Sequence, residues 1–303
     1  MTFARVAIIG LGLIGGSIGL AVREHLPGVA TRGYDSDPAV RRRATERQLA
    51  DEICDTPEAA AADADLVILC VPVGAMGDAA RAIAPALKPG AVVSDVGSSK
   101  QGIGQALAAA LPGRIVIPAH PVAGTEHSGP DAGFATLFHH RWCIVTPPAG
   151  TDPAIVGALV RFWEALGATV DTMDPEHHDL VLAVTSHIPH LIAYTIVGTA
   201  SELENVTRSE VIKYSAGGFR DFTRIAASDP TMWRDIFLAN KEAVLDVLGR
   251  FTEDLQALSR AIRWGEGDKL HELFTRTREI RRGVIDLGQE SPEPNFGRDR
   301  GKH

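Results

Sequence analysis

Cysteine is scarce: the 303 residues hold three, Cys54, Cys70 and Cys143, widely separated and without paired spacing. That excludes a disulfide framework and a thiolate metal centre, and the three read as reduced residues, two of them inside apolar strand-like runs. Positive charge is also in short supply. Thirty Lys and Arg against 38 Asp and Glu leave a net charge of −8, so no broad surface attracts a polyanion and nucleic acid is not an expected partner. The Arg41 to Arg43 run and the group Arg276, Arg278, Arg281 and Arg282 fall in helical patterns and read as solvated faces. No uninterrupted apolar run reaches the ~18 residues of a membrane helix. The apolar N-terminus is broken by glycines and framed by neither a basic segment nor a small-residue cleavage site, so no signal peptide is expected. These absences point to a cytoplasmic protein with no membrane partner.

What is present is apolar residue in quantity. Hydrophobic residues make up 45% and charged residues 22% of the chain, enough to bury a core and, at this length, to build two domains. Short β-branched runs at Arg5 to Ile9, Val29 to Tyr34, Leu66 to Val71, Ala91 to Ser94, Arg114 to Pro118, Trp142 to Val145 and Ala168 to Thr172 alternate with helical stretches. That alternation predicts an α/β fold with a doubly wound parallel sheet. After Asp174-Pro175 strand signals stop and apolar residues recur at three and four residue intervals, as in Trp233, Phe237, Leu238, Val244, Leu245 and Leu248 behind an Asp229-Pro230 helix start. The predicted organisation is a dinucleotide-binding domain over residues 1–173, an all-helical domain over 174–287, and a mobile tail, rich in Pro, Gly and charge, over 288–303.

Gly10-Leu11-Gly12-Leu13-Ile14-Gly15 follows the first strand and opens the first helix. Gly10 permits the turn, Gly12 lets the backbone approach a pyrophosphate, Gly15 lets helix and strand pack, and the helix N-terminus offers free N–H groups. Asp35 ends the second strand about twenty residues on, where a carboxylate accepts from ribose hydroxyls and repels a 2′-phosphate. NAD is therefore favoured over NADP, which the Arg41 to Arg43 run keeps as the less favoured cofactor. Val71 and Pro72 close a strand where the nicotinamide ribose would lie.

Oxidation of a carbinol needs a group to take the hydroxyl proton, and His120, in Pro118-Ala119-His120-Pro121-Val122-Ala123-Gly124, is the candidate, expected on a loop at the carboxyl end of a strand. Ser98, in Asp95-Val96-Gly97-Ser98-Ser99-Lys100, could hydrogen-bond His120 or the substrate hydroxyl. Thr185-Ser186-His187-Ile188-Pro189-His190 places a polar cluster in an apolar helix. His187 and His190 have a metal-like spacing, but no cysteine or carboxylate completes a set nearby and no metal is expected. In Gly217-Gly218-Phe219-Arg220-Asp221-Phe222-Thr223-Arg224 a glycine-led loop carries two guanidinium groups, and Arg224 suits a substrate carboxylate.

Taken together, GLGLIGGS, DVGSSK, HPVAGTE, SHIPH and GGFRDFTRIA, with Trp233 after DPTM, resemble the prephenate and arogenate dehydrogenase family from about Arg5 to Ile285. The resemblance implies a Rossmann domain with a helical domain that dimerises and binds substrate, and NAD-dependent oxidative decarboxylation of prephenate or L-arogenate towards tyrosine. It implies His120 as catalytic histidine, Ser98 as the serine that orients the pair, Arg224 as the carboxylate grip, His190 and Gly217 as pocket residues and Glu126 as an acidic residue near the side-chain end. Tyrosine is implied as a competitive inhibitor at the same site. The wording around His127-Ser128-Gly129-Pro130 is similar to the cyclohexadienyl branch, which takes both substrates. Neither a chorismate mutase segment nor a C-terminal regulatory domain is expected. Two rival readings remain: another two-domain dehydrogenase of the β-hydroxyacid or 6-phosphogluconate type, with Lys213 or Lys241 as its catalytic lysine, and a dinucleotide-binding redox sensor without catalysis.

Overall fold

The computed structural model describes residues 3–125, 127–202 and 217–286. The chain forms two compact units, Met1–Leu245 and Asp246–His303.

In the first unit six strands form one parallel sheet: β1 (Arg5–Ile9), β2 (Ala30–Tyr34), β3 (Glu52–Ile53), β4 (Leu66–Leu69), β5 (Val92–Asp95) and β6 (Ile115–Val116), in the order β3-β2-β1-β4-β5-β6. The order reverses beside β1, so the crevice at the carboxyl ends of β1 and β4 is the switch point where such sheets bind ligands. Every residue of β4 is buried, as a strand covered on both faces demands. One core cluster joins Val6, Ile8, Ile18, Val22, Leu66 and Ile68; the other joins Ala7, Ile9, Val67, Leu69, Met76 and Ile83. Alternate residues of the same strands thus feed opposite layers. The three cysteines are free.

The expectation of a single sheet fails at the remaining strands. β7 (Ala119–Pro121) pairs antiparallel with β8 (Trp142–Val145), which pairs parallel with β9 (Thr169–Thr172), forming a separate three-stranded sheet. His120 therefore stands on a strand, opposite Ile144, and not on a loop.

The arginine run lies on α2 (Pro38–Glu46), on a largely solvated helix face, with Arg42 and Arg43 exposed and Arg41 half-buried. Arg41 donates to the Asp35 carbonyl at 2.7 Å and stands over the Tyr34 ring at 5.6 Å. Arg43 bridges Asp131 at 2.7 Å and Glu46 at 2.7 Å.

From Asp174, whose carboxylate caps the next helix through the Glu176 N–H, a continuous helical stretch runs through α7 (Pro175–Leu182), a π-helical turn (Ala183–His187) and α8 (Ile188–Glu202). The π turn has a local cause: Pro189 lacks an N–H and its ring would crowd the carbonyl four residues back, which one wider turn relieves. By length and composition this Pro175–Glu202 stretch would suffice to cross a membrane, with mean hydropathy 1.6 over eighteen residues. The stretch is not an uninterrupted apolar run, since Thr185, Ser186, His187 and His190 fall within it. Its polar residues His178, Asp179 and His187 are buried within the unit, a placement that belongs to a helix packed on a protein site. The unit continues with Gly217–Thr223 (α9), a 3-10 turn Arg224–Ala227, and Pro230–Ala239 (α10), capped by Asp229.

The second unit is helical, carrying the later part of α11 (Lys241–Trp264) and α12 (Gly267–Asp286). Within it Leu255, Ile262, Trp264, Phe274 and Ile280 are exposed. The predicted tail over 288–303 lies outside the described residues.

Candidate active site

The glycines at the mouth of β1 are each required for a different reason. Gly10 has φ +102°, and a side chain there would collide with the Cys70 carbonyl; one at Gly15 would collide with the Gly10 carbonyl. At Gly12 a Cβ would meet nothing within 4 Å, so its backbone borders open space. Gly12 caps α1 (Leu13–His25) without a side-chain acceptor, which leaves the N–H groups of the first turn, Leu13 and Ile14 among them, available to an anion. Asp35 is anchored beside this turn: Oδ2 accepts from Leu11 N at 2.9 Å and Oδ1 from Asp37 N at 3.0 Å. A bare helix N-terminus, open space over Gly12 and a fixed carboxylate at the end of β2 fit a dinucleotide. Val71 and Pro72 follow β4 at the same crevice.

The chemical side is built around an imidazole pair. His120 is 7% exposed, and its Nδ1 lies 2.9 Å from Nε2 of His178. His178 Nδ1 lies 2.8 Å from Asp179 Oδ1. Asp179 also accepts from Lys100 N at 2.6 Å and Gln101 N at 2.9 Å, at the start of α5 (Gln101–Ala110). One carboxylate thus ties the end of the Asp95 to Lys100 segment to the helix that carries His178. Burial, then the neighbouring His178, Lys100 and His187, pushes His120 well below the ordinary imidazole pKa. It is neutral at neutral pH, the form a proton acceptor needs.

Beneath His120, the Lys100 ammonium and the Asp95 carboxylate form a fully buried ion pair. Lys100 Nζ also donates to the Ala119 carbonyl at 2.7 Å, and Asp95 accepts from the N–H groups of Gly97 at 2.8 Å and Ala119 at 3.3 Å. The residue preceding His120 is held on both its polar groups.

Ser98 is half-buried. It makes no hydrogen bond to His120, whose Nδ1 is taken by His178, so the expected serine–histidine contact is absent from this geometry. His190 donates through Nδ1 to the Ser186 carbonyl at 2.9 Å and stacks on Trp233 at 3.7 Å between ring centroids. Trp233 meets His187 edge-on at 6.0 Å. The Arg224 cation helps push the His190 pKa down, behind the larger effect of burial. A contiguous string therefore runs from His120 through His187, Trp233 and His190 to the neighbourhood of Arg224. Gly217 opens α9 with space around it. Glu126 and Lys213 lie outside the described residues. Lys241, the other lysine of the rival reading, has a side chain 60% exposed and pairs with Glu242 at 3.3 Å. Among the described residues no cluster of three His, Cys, Asp or Glu side chains suits a metal.

Sequence reading missed His178, Asp179 and Asn240, which donates to the Asp179 carbonyl at 2.8 Å and bonds His187 Nδ1 at 3.1 Å. A usable signal was present: adjacent His and Asp leading straight into the apolar Leu180 to Leu182 run must find partners if buried.

Fold and site together define a Rossmann-type nucleotide-binding enzyme with a helical companion region. More narrowly, the chain belongs to the prephenate dehydrogenase family. Residues 18–172 match its nucleotide-binding domain and residues 174–276 its dimerization domain. The chain is 46% identical over 279 residues to the cyclohexadienyl dehydrogenase of Zymomonas mobilis, covering 92% of this chain and 95% of that protein. It is 33% identical over 293 residues to the prephenate dehydrogenase of Bacillus subtilis, covering 96% and 78% respectively. The structure of Aquifex aeolicus prephenate dehydrogenase in complex with hydroxyphenyl propionate and NAD+ superposes with a TM-score of 0.87 at 34% identity, over 94% of this chain and 99% of that one.

Proposed function

We propose that this chain oxidatively decarboxylates prephenate, L-arogenate or both, with NAD as oxidant, in tyrosine biosynthesis. The observation that carries the reading is a buried, neutral His120 held against His178, in a family member that aligns along nearly its whole length with a cyclohexadienyl dehydrogenase. When bound, NAD would supply the acceptor for the hydride of the ring carbinol carbon. Gly12 and the first turn of α1 hold the pyrophosphate, and Asp35 takes the ribose hydroxyls. His120 draws the carbinol proton at Nε2 as the hydride departs. The ring carboxylate leaves as CO₂, its electron pair completes the aromatic ring, and His120 returns the proton to the phenolate oxygen. Arg224 grips a substrate carboxylate, with Ser98, His190 and Gly217 lining the pocket. The driving force lies in the substrate's aromatisation, so the protein supplies alignment and one proton acceptor.

The chain works as a homodimer. Leu180, Val184, Ile196 and Val197 on one stretch and Ile262, Trp264 and Phe274 on another are exposed in the region that matches a dimerization domain, and a second copy would cover them.

Steady-state assay of the purified chain with prephenate, arogenate and 3-hydroxyisobutyrate, each with NAD and NADP, tests the reading; turnover of the last alone would overturn it. His120→Asn is expected to lower kcat by ~10²–10⁴ with KM nearly kept, and Arg224→Ala to raise KM chiefly.

A further inference from the structure

We infer that His178 and Asp179 are positioning residues that dictate which nitrogen of His120 carries its proton, leaving Nε2 bare to act as the base. The inference rests on the proton-accepting role assigned to His120 above. It follows from a chain of contacts in which each step leaves one assignment.

Both oxygens of Asp179 are engaged as acceptors, Oδ1 by Lys100 N at 2.6 Å and Oδ2 by Gln101 N at 2.9 Å. A carboxylate so occupied has no proton to give, so the hydrogen in its 2.8 Å contact with His178 is on Nδ1 of His178. Burial lowers the pKa of His178 against the opposing pull of Asp179, and a neutral imidazole carries one proton only. Nε2 of His178 is therefore a bare acceptor. Its 2.9 Å contact with Nδ1 of His120 needs a hydrogen, which His120 must supply. The single proton of neutral His120 is thus on Nδ1, and Nε2, which makes no hydrogen bond to the described residues, presents its lone pair. The reversed order would set two lone pairs face to face or require a cationic His178.

The pair is buried, so water does not compete for these contacts. When His120 takes a proton at Nε2, the new cation donates from Nδ1 to the His178 acceptor, whose own Nδ1–H donates to the Asp179 carboxylate. Asp179 also holds the start of α5, so a packing role for the same residues is the rival to be separated.

The test uses the full chain labelled with ¹⁵N in its histidines. Long-range ¹H–¹⁵N spectra of the wild type, without substrate, are expected to show His120 protonated at Nδ1 and bare at Nε2. A proton on Nε2 would overturn the proposal. In turnover, His178→Leu is expected to lose ~10²–10⁴ in kcat with KM for substrate within about threefold of wild type. His178→Gln, which can accept from His120 and donate to Asp179, is expected to recover kcat to within about tenfold of wild type. Glutamine as damaging as leucine, or leucine as active as wild type, counts against positioning. The wild-type tautomer is read with no turnover, so a bare Nε2 upholds the positioning even if an active His120→Asn overturned the role given to His120.

Discussion

Lys100 is a fully buried ammonium whose partners are a fully buried carboxylate and one backbone carbonyl. Burial pushes Asp95 up and Lys100 down, both towards neutrality, and the contact between them opposes this. Such a pair adds little net stability, but removing one member strands the other charge in a medium that cannot solvate it. Lys100→Met is accordingly expected to lower the unfolding free energy by about 3–5 kcal/mol, measured by urea denaturation with an unchanged m-value. A loss under about 1 kcal/mol would mean that water reaches Asp95. In the sequence both residues were visible as ends of one motif. Their second task, fixing both polar groups of Ala119, was not, because it joins segments nineteen and twenty-four residues apart. Pairings of that kind carry no periodicity, and the same holds for His120 with His178, separated by fifty-eight residues.

Among the elements, the first βαβ unit was legible because three constraints agree there: β-branched residues buried on both faces, glycines where a Cβ would collide, and a carboxylate at the end of β2. The three glycines also separate folding from binding. A methyl group at Gly15 would meet the Gly10 carbonyl, whereas at Gly12 it would meet nothing, and Gly12 has an ordinary φ of −75°. Gly15→Ala is thus expected to lower the melting temperature by several degrees or prevent folding. Gly12→Ala should melt close to wild type while its KM for NAD rises at least ~10-fold, since the methyl occupies the approach to the phosphates. Equal melting losses in the two variants would remove this distinction. β3 and β7 were not legible. Two and three residues are too few for a period-two pattern, and the strand character of Ala119–Pro121 comes from its pairing with β8. The π turn before Pro189 is likewise a compromise between a proline and a helix that packing insists on, and only the proline is written in the sequence.

At the scale of the molecule, three buried histidines, His120, His178 and His187, stand together in the first unit, and each has its pKa lowered, chiefly by burial. His187 is the best defined, pushed down to about 4. The unfolded chain would bind a proton at each near pH ~6.5, whereas the folded chain resists until the pH reaches the lowered values. Below ~6.5 the unfolded state therefore holds more protons, and stability, fully present above that pH, falls as the medium is acidified. The onset of this window, near pH ~6.5, lies above the range in which carboxylates protonate, so it separates histidine from the loss of ion pairs such as Arg43 with Asp131. His187 alone accounts for a loss on the order of 3 kcal/mol between pH 6.5 and about 4. With all three contributing, the unfolding free energy is expected to drop steeply from pH 7 to pH 5, at up to about 1.4 kcal/mol per pH unit for each histidine. Urea titrations at fixed protein concentration and several pH values measure this slope, the fixed concentration holding any dimer contribution constant. His187→Leu should make the slope shallower by as much as one proton's worth, although its stability at pH 7.5 is lower through the lost bond to Asn240. A wild-type profile flat between pH 7 and pH 5 would show that the folded protein protonates these rings as readily as the unfolded chain does. The neutral His120 on which the proposed proton transfer depends would then have no support from its surroundings.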